Sequence, residues 1–446
     1  MTGGLVTDLY ELNMAASYLR RQMTGPATFS LFVRDLPPDR GFLVAAGLED
    51  SLSFLQGFSF DEGELAWLAG TLDFDRATVE ALRRLRFTGE MWAVPEGRVV
   101  FAGEPLLEVT APLAEAQLVE TALLNQVTFH TAVASKAARC RLAAGGAELV
   151  DFAFRRTQGL DAAMAVARCS ALVGFAATSN TEAARRFGLR ASGTMAHSYV
   201  EAFADELAAF RAFAEDFPGP TTFLVDTYDT LGGVRAAIKV IGELGLSGPL
   251  GVRLDSGDLG ALAVETRRLL DAAGLPHVRI VASGGLDEYA IAELVDRGAP
   301  IDAYGVGTKM GVSADAPFLD TAYKLVAYSG RPVMKLSQGK AYPPAAKQVF
   351  RGPAGGDLLG LRDEPAPPGR APLLEPVMLE GRRVAPPPDL AAARSRFEAD
   401  LARLPERSRA LRRPEPPPVQ LSERLEALRD RVQADLSARS ASDLRS

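Results

Sequence analysis

His197 stands in the run Gly193-Thr194-Met195-Ala196-His197-Ser198, where small neighbours leave room for a phosphate beside the imidazole. A neutral imidazole near physiological pH can act as a nucleophile without a strong base, which makes His197 a candidate phosphoryl acceptor. The same residues fit a buried histidine satisfied by a backbone carbonyl. Two acidic pairs, Asp226 with Asp229 and Asp255 with Asp258, suit either a Mg²⁺ ion held partly through phosphates and water or the hydroxyls of a ribose. Each is also what a helix cap requires. Ser283-Gly284-Gly285 and Gly305-Val306-Gly307-Thr308 are turns whose free N–H groups, at the positive end of a following helix, would cradle a phosphate. Arg253, two residues before Asp255, either reaches into a cleft or pairs with a neighbouring acid. In Asp151-Phe152-Ala153-Phe154-Arg155-Arg156 an aromatic plate lies next to two guanidinium groups, as a flat anionic heteroaromatic acid would need. The alternative there is a core Phe152 with solvated arginines.

These residues need a scaffold that brings them to one place. Between 148 and 327 short apolar runs end in polar or glycine clusters and give way to alanine-rich helical stretches, the pattern of βα units. The expected strands are 148–154, 171–176, 192–196, 222–225, 250–254, 278–282 and 302–306. Parallel strands of this number imply an irregular seven-stranded, TIM-like α/β barrel at 141–330, with its chemistry at the carboxyl ends of the strands. Residues 1–140 read as an α+β sandwich domain, with helices at 7–19 and 47–55, strands at 28–33 and within 99–110, and a long helical stretch at 114–144. Strands from 334 onward, to about 375, are expected to complete it. Proline-rich pieces then introduce a C-terminal helical extension at 376–446. It includes a helix at 421–438 with Leu421, Leu425, Leu428, Val432 and Leu436 on one face, and a frayed end at 439–446.

The chain has 446 residues, 47% of them hydrophobic and 24% charged, enough for two cores. Its net charge of −7 argues against a broad nucleic-acid footprint, so an anionic ligand must be held locally. The two cysteines, Cys140 and Cys169, have neither disulfide-framework nor zinc spacing, and no apolar run is long enough to span a membrane. A cytoplasmic protein is the expectation.

Nine ordered motifs between Thr7 and Lys347 carry a family resemblance. They are T-D-L-Y-E-L-N-M at the start, F-x-L-F-x-R-x-L-P-x-x-R-G-F ending at Phe42, G-E-P-L-L-E-V near Gly103, A-S-K-A-A-R at Ala134, D-F-A-F-R-R at Asp151, G-T-M-A-H-S at Gly193, V-D-T-Y-D-T at Val225, V-R-L-D-S-G-D at Val252 and Y-G-V-G-T at Tyr304. The chain resembles the nicotinate phosphoribosyltransferases, type II phosphoribosyltransferases of the ligase class. The resemblance implies ATP-coupled joining of nicotinate to 5-phosphoribosyl 1-pyrophosphate, with Mg²⁺, in a homodimer. It implies a phosphohistidine at His197, and Phe152 and Tyr10 as plates for the pyridine ring, with Tyr10 from the second subunit. It implies Arg253 at the ring's acid group, Asp255 near the ribose hydroxyls, and Arg155, Lys136 and Arg139 as phosphate-side cations. Ser283, Gly284, Gly285, Gly305, Gly307 and Thr308 would form the 5′-phosphate cradle. Asp226, with Asp255, is implied at the metal, and Asp8, beside Tyr10, at the substrate; Lys324 matches a motif position without a defined role.

Asn180 bears on the choice of substrate. It occupies the place where nicotinamide-using relatives carry an aspartate, which at ~4 Å from a substrate carboxylate would cost on the order of 4 kcal/mol at an effective dielectric of ~20. Asparagine fits an acid substrate, and it also fits a helix N-cap. Nicotinamide and quinolinate transferases, and a non-catalytic nucleotide-binding barrel, are the competing readings.

Overall fold

The structure is a computed structural model describing residues 3–217, 219–337, 342–353 and 356–443, with side chains as far as 438. The chain forms two compact units, Met1–Ser135 with Phe318–Ser446, and Lys136–Pro317.

In the second unit six parallel strands form one sheet, in the order Ala177–Thr178, Glu148–Asp151, Ala303–Val306, Arg279–Ala282, Leu250–Leu254 and Thr221–Leu224. Helices connect them, and parallel strands covered in this way bury both faces, which accounts for runs such as Leu250–Leu254, where only Arg253 is not fully buried. Because all six run the same way, the acids, glycines and Phe152 that follow them emerge along one edge. Two expected strands differ. Residues 171–176 begin as the end of the helix Leu160–Leu172; Gly174, at φ 101°, turns the chain, and the strand is Ala177–Thr178. Over 192–196 no ladder forms among the described residues. Only Ala191 bridges Thr178, because Ser192-Gly193-Thr194 offers no apolar alternation to bury. The helices after the strands start at Asp229, Asp258 and Asp287, whose carboxylates accept from N–H groups of the first turn.

In the first unit the strand Pro26–Val33 is third in a seven-stranded antiparallel sheet, between Thr321–Tyr328 and Pro105–Pro112. The returning chain therefore joins this sheet from Thr321, ahead of the 330 boundary read from the sequence. Lys347–Arg351 and Asp357–Leu361 lie in a separate four-stranded sheet. The helical stretch at 114–144 is two helices, Leu113–Leu118 and Glu120–Ala143, and the first helix is Leu9–Arg20.

The C-terminal helices pack into this first unit. Asp400, on Leu390–Arg403, accepts from Arg98 Nη1 (2.9 Å), the Val99 N–H (3.0 Å) and Arg351 Nη1 (3.0 Å). On Glu423–Asp443, Leu425 and Val432 are buried and Leu428 and Leu436 half-buried, so the expected apolar face points inward. The side chains of the end expected to fray, 439–446, lie outside the described residues. Cys140 and Cys169 are both buried, and neither is joined in a disulfide. Among the described residues no helix is long and apolar enough to cross a membrane.

Candidate active site

At the strand ends of the second unit lies an open cleft of about 370 Å³, lined by Phe152, Arg155, Thr194, His197, Arg253 and Asp255 among others. Arg253 is anchored near its floor, with its side chain 12% exposed. Its Nε donates to Ser283 Oγ (2.9 Å), Nη1 to Thr194 Oγ1 (2.8 Å) and Nη2 to Asp255 Oδ1 (3.2 Å). A guanidinium carries five N–H donors, so these bonds leave one N–H on each terminal nitrogen. That pair is the fork that binds a carboxylate through both oxygens. The guanidinium carbon lies 5.5 Å from the centroid of the Phe152 ring, which puts an aromatic plate beside the fork.

Phe152 is held from two sides. The buried Asp151 caps the turn beyond it, accepting from the Ala153 N–H (2.9 Å) and from Thr178 Oγ1 (2.7 Å); burial pushes its carboxyl above the usual carboxylate range. Behind the ring, a Cβ on Gly305 would stand 2.6 Å from two ring carbons, and one on Gly307 would stand 3.1 Å from the Phe152 carbonyl oxygen. Both glycines serve the plate. The space where a side chain would stand is taken up by Phe152, which accounts for glycine at both positions. Gly284 and Gly285 have φ of 91° and 67°, conformations that favour glycine, and a Cβ on Gly284 would meet the Asp255 carbonyl oxygen at 2.0 Å.

The acidic pairs divide by position. Asp229 and Asp258 are helix caps, accepting from Gly232 and from Gly260 and Ala261 respectively. The strand-end members, Asp226 and Asp255, meet each other: Asp226 Oδ2 accepts from the Asp255 N–H (3.1 Å) and from Ser256 Oγ (2.6 Å). Asp226 Oδ1 is buried and has no hydrogen-bond partner among the described residues. A buried carboxylate oxygen without a donor suits a cation, and Mg²⁺ is commonly held by one or two carboxylates completed by phosphate oxygens and water. Asp226 and Asp255 fit that requirement, although no group of three or more His, Cys, Asp or Glu able to hold a metal occurs among the described residues. Glu206 adds negative charge nearby. Its carboxyl is pushed up to about 7, chiefly by burial and then by Asp229 and Asp226.

His197 opens the short helix His197–Glu201 and lines the cleft. Its Nδ1 lies 3.2 Å from Thr227 Oγ1. With the ring proton on Nδ1 donated to that hydroxyl, Nε2 keeps its lone pair and has no protein partner among the described residues. Arg155, on the turn Phe154–Arg156, is exposed and has no ion-pair partner among them either.

Several sequence assignments change. Ser283 is buried, and its hydroxyl joins Asp255 Oδ1 to Arg253 Nε, so it braces the arginine and is not open to a phosphate. Asn180 is fully buried and caps the helix Thr181–Phe187 through Oδ1 and the Ala183 N–H (3.0 Å), while Nδ2 faces the Ala163 carbonyl (3.4 Å) and Met164 Sδ (3.6 Å). The cap reading holds, and Asn180 does not line the cleft. Lys136 and Arg139 do not line it either. Lys136 pairs with Glu288 (2.5 Å) and Asp315 (2.8 Å), and Arg139 with Glu288 (2.8 Å) and Tyr289 (2.9 Å), in a buried network that already neutralises both cations. Thr308 begins the short helix Thr308–Gly311. Tyr10 and Asp8 belong to the first unit. There Asp8 accepts from Thr121 (2.9 Å), and burial together with Glu120 and Glu11 holds the Tyr10 phenol well above its ordinary range. Lys324, on Thr321–Tyr328, is close enough to Glu120 to offset a little of the rise that burial and Glu11 cause in that carboxyl.

The sequence reading passed over Thr194 and Thr227, the hydroxyls that hold Arg253 and His197. Both stand inside motifs already quoted, but neither their spacing nor their type distinguishes them from turn residues.

Family models match most of the chain: the nicotinate phosphoribosyltransferase N-terminal domain over residues 5–128, the nicotinate phosphoribosyltransferase family over 147–341, and the corresponding C-terminal domain over 366–429. Nicotinate phosphoribosyltransferase pncB2 of Mycobacterium tuberculosis is 49% identical over 92% of this chain and 89% of its own length. The Bacillus subtilis nicotinate phosphoribosyltransferase is 41% identical over 81% of this chain and 76% of its own. The crystal structure of human nicotinic acid phosphoribosyltransferase superposes with a TM-score of 0.85 at 34% identity, covering 96% of this chain and 100% of that one. These matches define an enzyme of the phosphoribosyltransferase class. The C-terminal extension, left outside the resemblance read from the sequence, is part of it. The chain belongs to the nicotinate phosphoribosyltransferase family.

Proposed function

We propose that this chain joins nicotinate to the phosphoribosyl group of 5-phosphoribosyl 1-pyrophosphate, giving nicotinate mononucleotide and pyrophosphate in NAD salvage, and that ATP drives the step through phosphorylation of His197. One observation carries the reading of the substrate: the two unspent N–H groups of Arg253 beside the Phe152 ring. A planar pyridine with one carboxylate fills both features, whereas a carboxamide offers the fork a single acceptor oxygen.

The pyridine nitrogen attacks the anomeric carbon as its bond to the pyrophosphate oxygen breaks. Asp255 stabilises the positive charge that builds on the ribose, and Arg155 and the turn at Gly284 and Gly285 receive phosphate. Mg²⁺ held by Asp226 and Asp255 would supply charge neutralisation to the departing pyrophosphate. In the ATP step, Nε2 of His197 attacks the γ-phosphorus, an N–P bond forms, the bond to the β-phosphate oxygen breaks and ADP leaves, with the imidazole in the tautomer whose Nδ1–H donates to Thr227 Oγ1. Water later cleaves the N–P bond, restoring the imidazole and releasing phosphate. We place Tyr10 over the ring from the second copy of a cytoplasmic homodimer, with Asp8 beside it, and take the segment 191–196 as the irregular seventh stave of a barrel.

The test is formation of nicotinate mononucleotide from nicotinate, the phosphoribosyl donor and Mg²⁺, with and without ATP. A His197→Ala variant is expected to keep basal transfer and lose the stimulation by ATP. Full stimulation in that variant would remove His197 from the coupling.

A further inference from the structure

Thr194 is the place where the histidine loop touches the carboxylate-binding arginine. Its hydroxyl accepts from Arg253 Nη1 (2.8 Å) and donates to the Met195 carbonyl (3.1 Å). The polarity is fixed, because a guanidinium only donates; the threonine oxygen must accept from it and its proton is free for the peptide. A relay therefore runs from Arg253 through Thr194 to the peptide two residues before His197.

The segment that carries the relay lies outside the sheet, tied at its start by the Ser192 N–H to the Thr178 carbonyl (2.9 Å). Apart from the bridge at Ala191 it belongs to no ladder, and a Cβ added at Gly193 would meet nothing within 4 Å. On the other side of the guanidinium the anchors are stiff: Ser283 is buried at the end of the strand Arg279–Ala282, and Asp255 follows the strand Leu250–Leu254. Of the three groups that hold Arg253, Thr194 alone is on the loop whose charge changes when His197 is phosphorylated.

We propose that Thr194 is a positioning residue that couples the phosphorylation state of His197 to the orientation of Arg253, and hence to affinity for the pyridine carboxylate. The inference rests on the reading of His197 as the phosphoryl acceptor. A dianionic phosphate on Nε2 draws the 193–197 segment towards cations and free N–H groups of the cleft. Thr194 moves with it and turns Nη1, so that both unspent N–H groups face the substrate. Without the relay, phosphorylation still occurs but does not reach the ring-binding group.

The test compares the full-length protein with Thr194→Val, Thr194→Ala and Thr194→Ser. For each, the KM for nicotinate and kcat are measured with and without ATP, and His197 labelling from γ-labelled ATP is measured in parallel. The protein is expected to be labelled and to show a lower nicotinate KM with ATP. In Thr194→Val labelling is expected to persist while the KM ratio between the two conditions falls towards one, with about a tenfold loss of nicotinate affinity in the phosphorylated state, the size expected for one hydrogen bond to a charged group. Thr194→Ser, which keeps the oxygen, is expected to retain the ratio. Thr194→Ala removes the same oxygen with less bulk and repeats the test if valine disturbs folding. An unchanged KM ratio in the valine and alanine variants overturns the role of Thr194 and leaves His197 in place. Loss of labelling in those variants also overturns it, by placing Thr194 in the phosphoryl step. If the unaltered protein shows neither labelling nor an ATP effect, the reading of His197 fails and this inference fails with it.

Discussion

Replacing Arg253 with lysine keeps the positive charge and removes the geometry. The guanidinium makes three bonds to the protein and leaves two more N–H donors unspent. A single ammonium nitrogen cannot hold Ser283, Thr194 and Asp255 together and also bind both oxygens of a carboxylate. Losing one arm of the bidentate contact and the bracing that aims it should cost about 3 kcal/mol, taking each hydrogen bond to a charged group at the low end of its range, about 1.5 kcal/mol. That is roughly a hundredfold in kcat/KM for nicotinate. Steady-state rates at saturating phosphoribosyl donor measure it directly, and the KM for the donor serves as an internal control that should change by less than about threefold. If Arg253→Lys retained nicotinate kcat/KM within about fivefold of the parent, or if the loss fell on the donor instead, the carboxylate fork would be refuted.

Asn180→Asp is expected to leave the preference for nicotinate over nicotinamide within about threefold, since the side chain is spent on a helix cap; Asn180→Ala should lower stability by about 1 kcal/mol in denaturant titrations. Gly305→Ala brings a methyl group within 2.6 Å of the Phe152 ring, so a loss of about 1–3 kcal/mol in thermal unfolding and a raised nicotinate KM should appear together. In the first unit Glu120 is pushed up to about 7, mainly by burial and then by Glu11. A carboxyl whose folded pKa lies above its unfolded value binds more protons when folded, so stability falls as pH rises from about 4.5 to 7 and is level above that range. Glu120→Gln should flatten that slope by on the order of 2 kcal/mol across the interval, as read from unfolding midpoints against pH.

The βα rhythm was legible because buried parallel strands write themselves as short apolar runs, and Leu250–Leu254 appears where the sequence put it. The run 171–176 misled because an apolar stretch of that length fits a strand or the last turn of a helix equally well, and Gly174 decides where the turn falls. At the site, Arg253, Phe152, Asp255 and His197 were legible from motifs, and the structure brings all four to one cleft. Lys136 and Arg139 were not, because their partners Glu288, Tyr289 and Asp315 are distant in sequence and nothing near the lysine or arginine announces them. Gly305 and Gly307 were read from the sequence as turns with free N–H groups, not as positions closed to a side chain. What excludes one there is an aromatic ring, a contact that only the assembled sheet reveals.

The division of labour within each acidic pair has a consequence for engineering. Asp226 and Asp255 close the strands, whereas Asp229 and Asp258 start the helices that follow. These two loops are thus fastened at their far ends by residues with no chemical duty, and in each the first position can be rewritten without loosening the helix behind it. A library that varied 226, 255 and 283 while keeping 229, 258 and 287 would search new chemistry on an intact frame. One that varied the capping positions would lose stability, about 1 kcal/mol for each cap, without changing the chemistry.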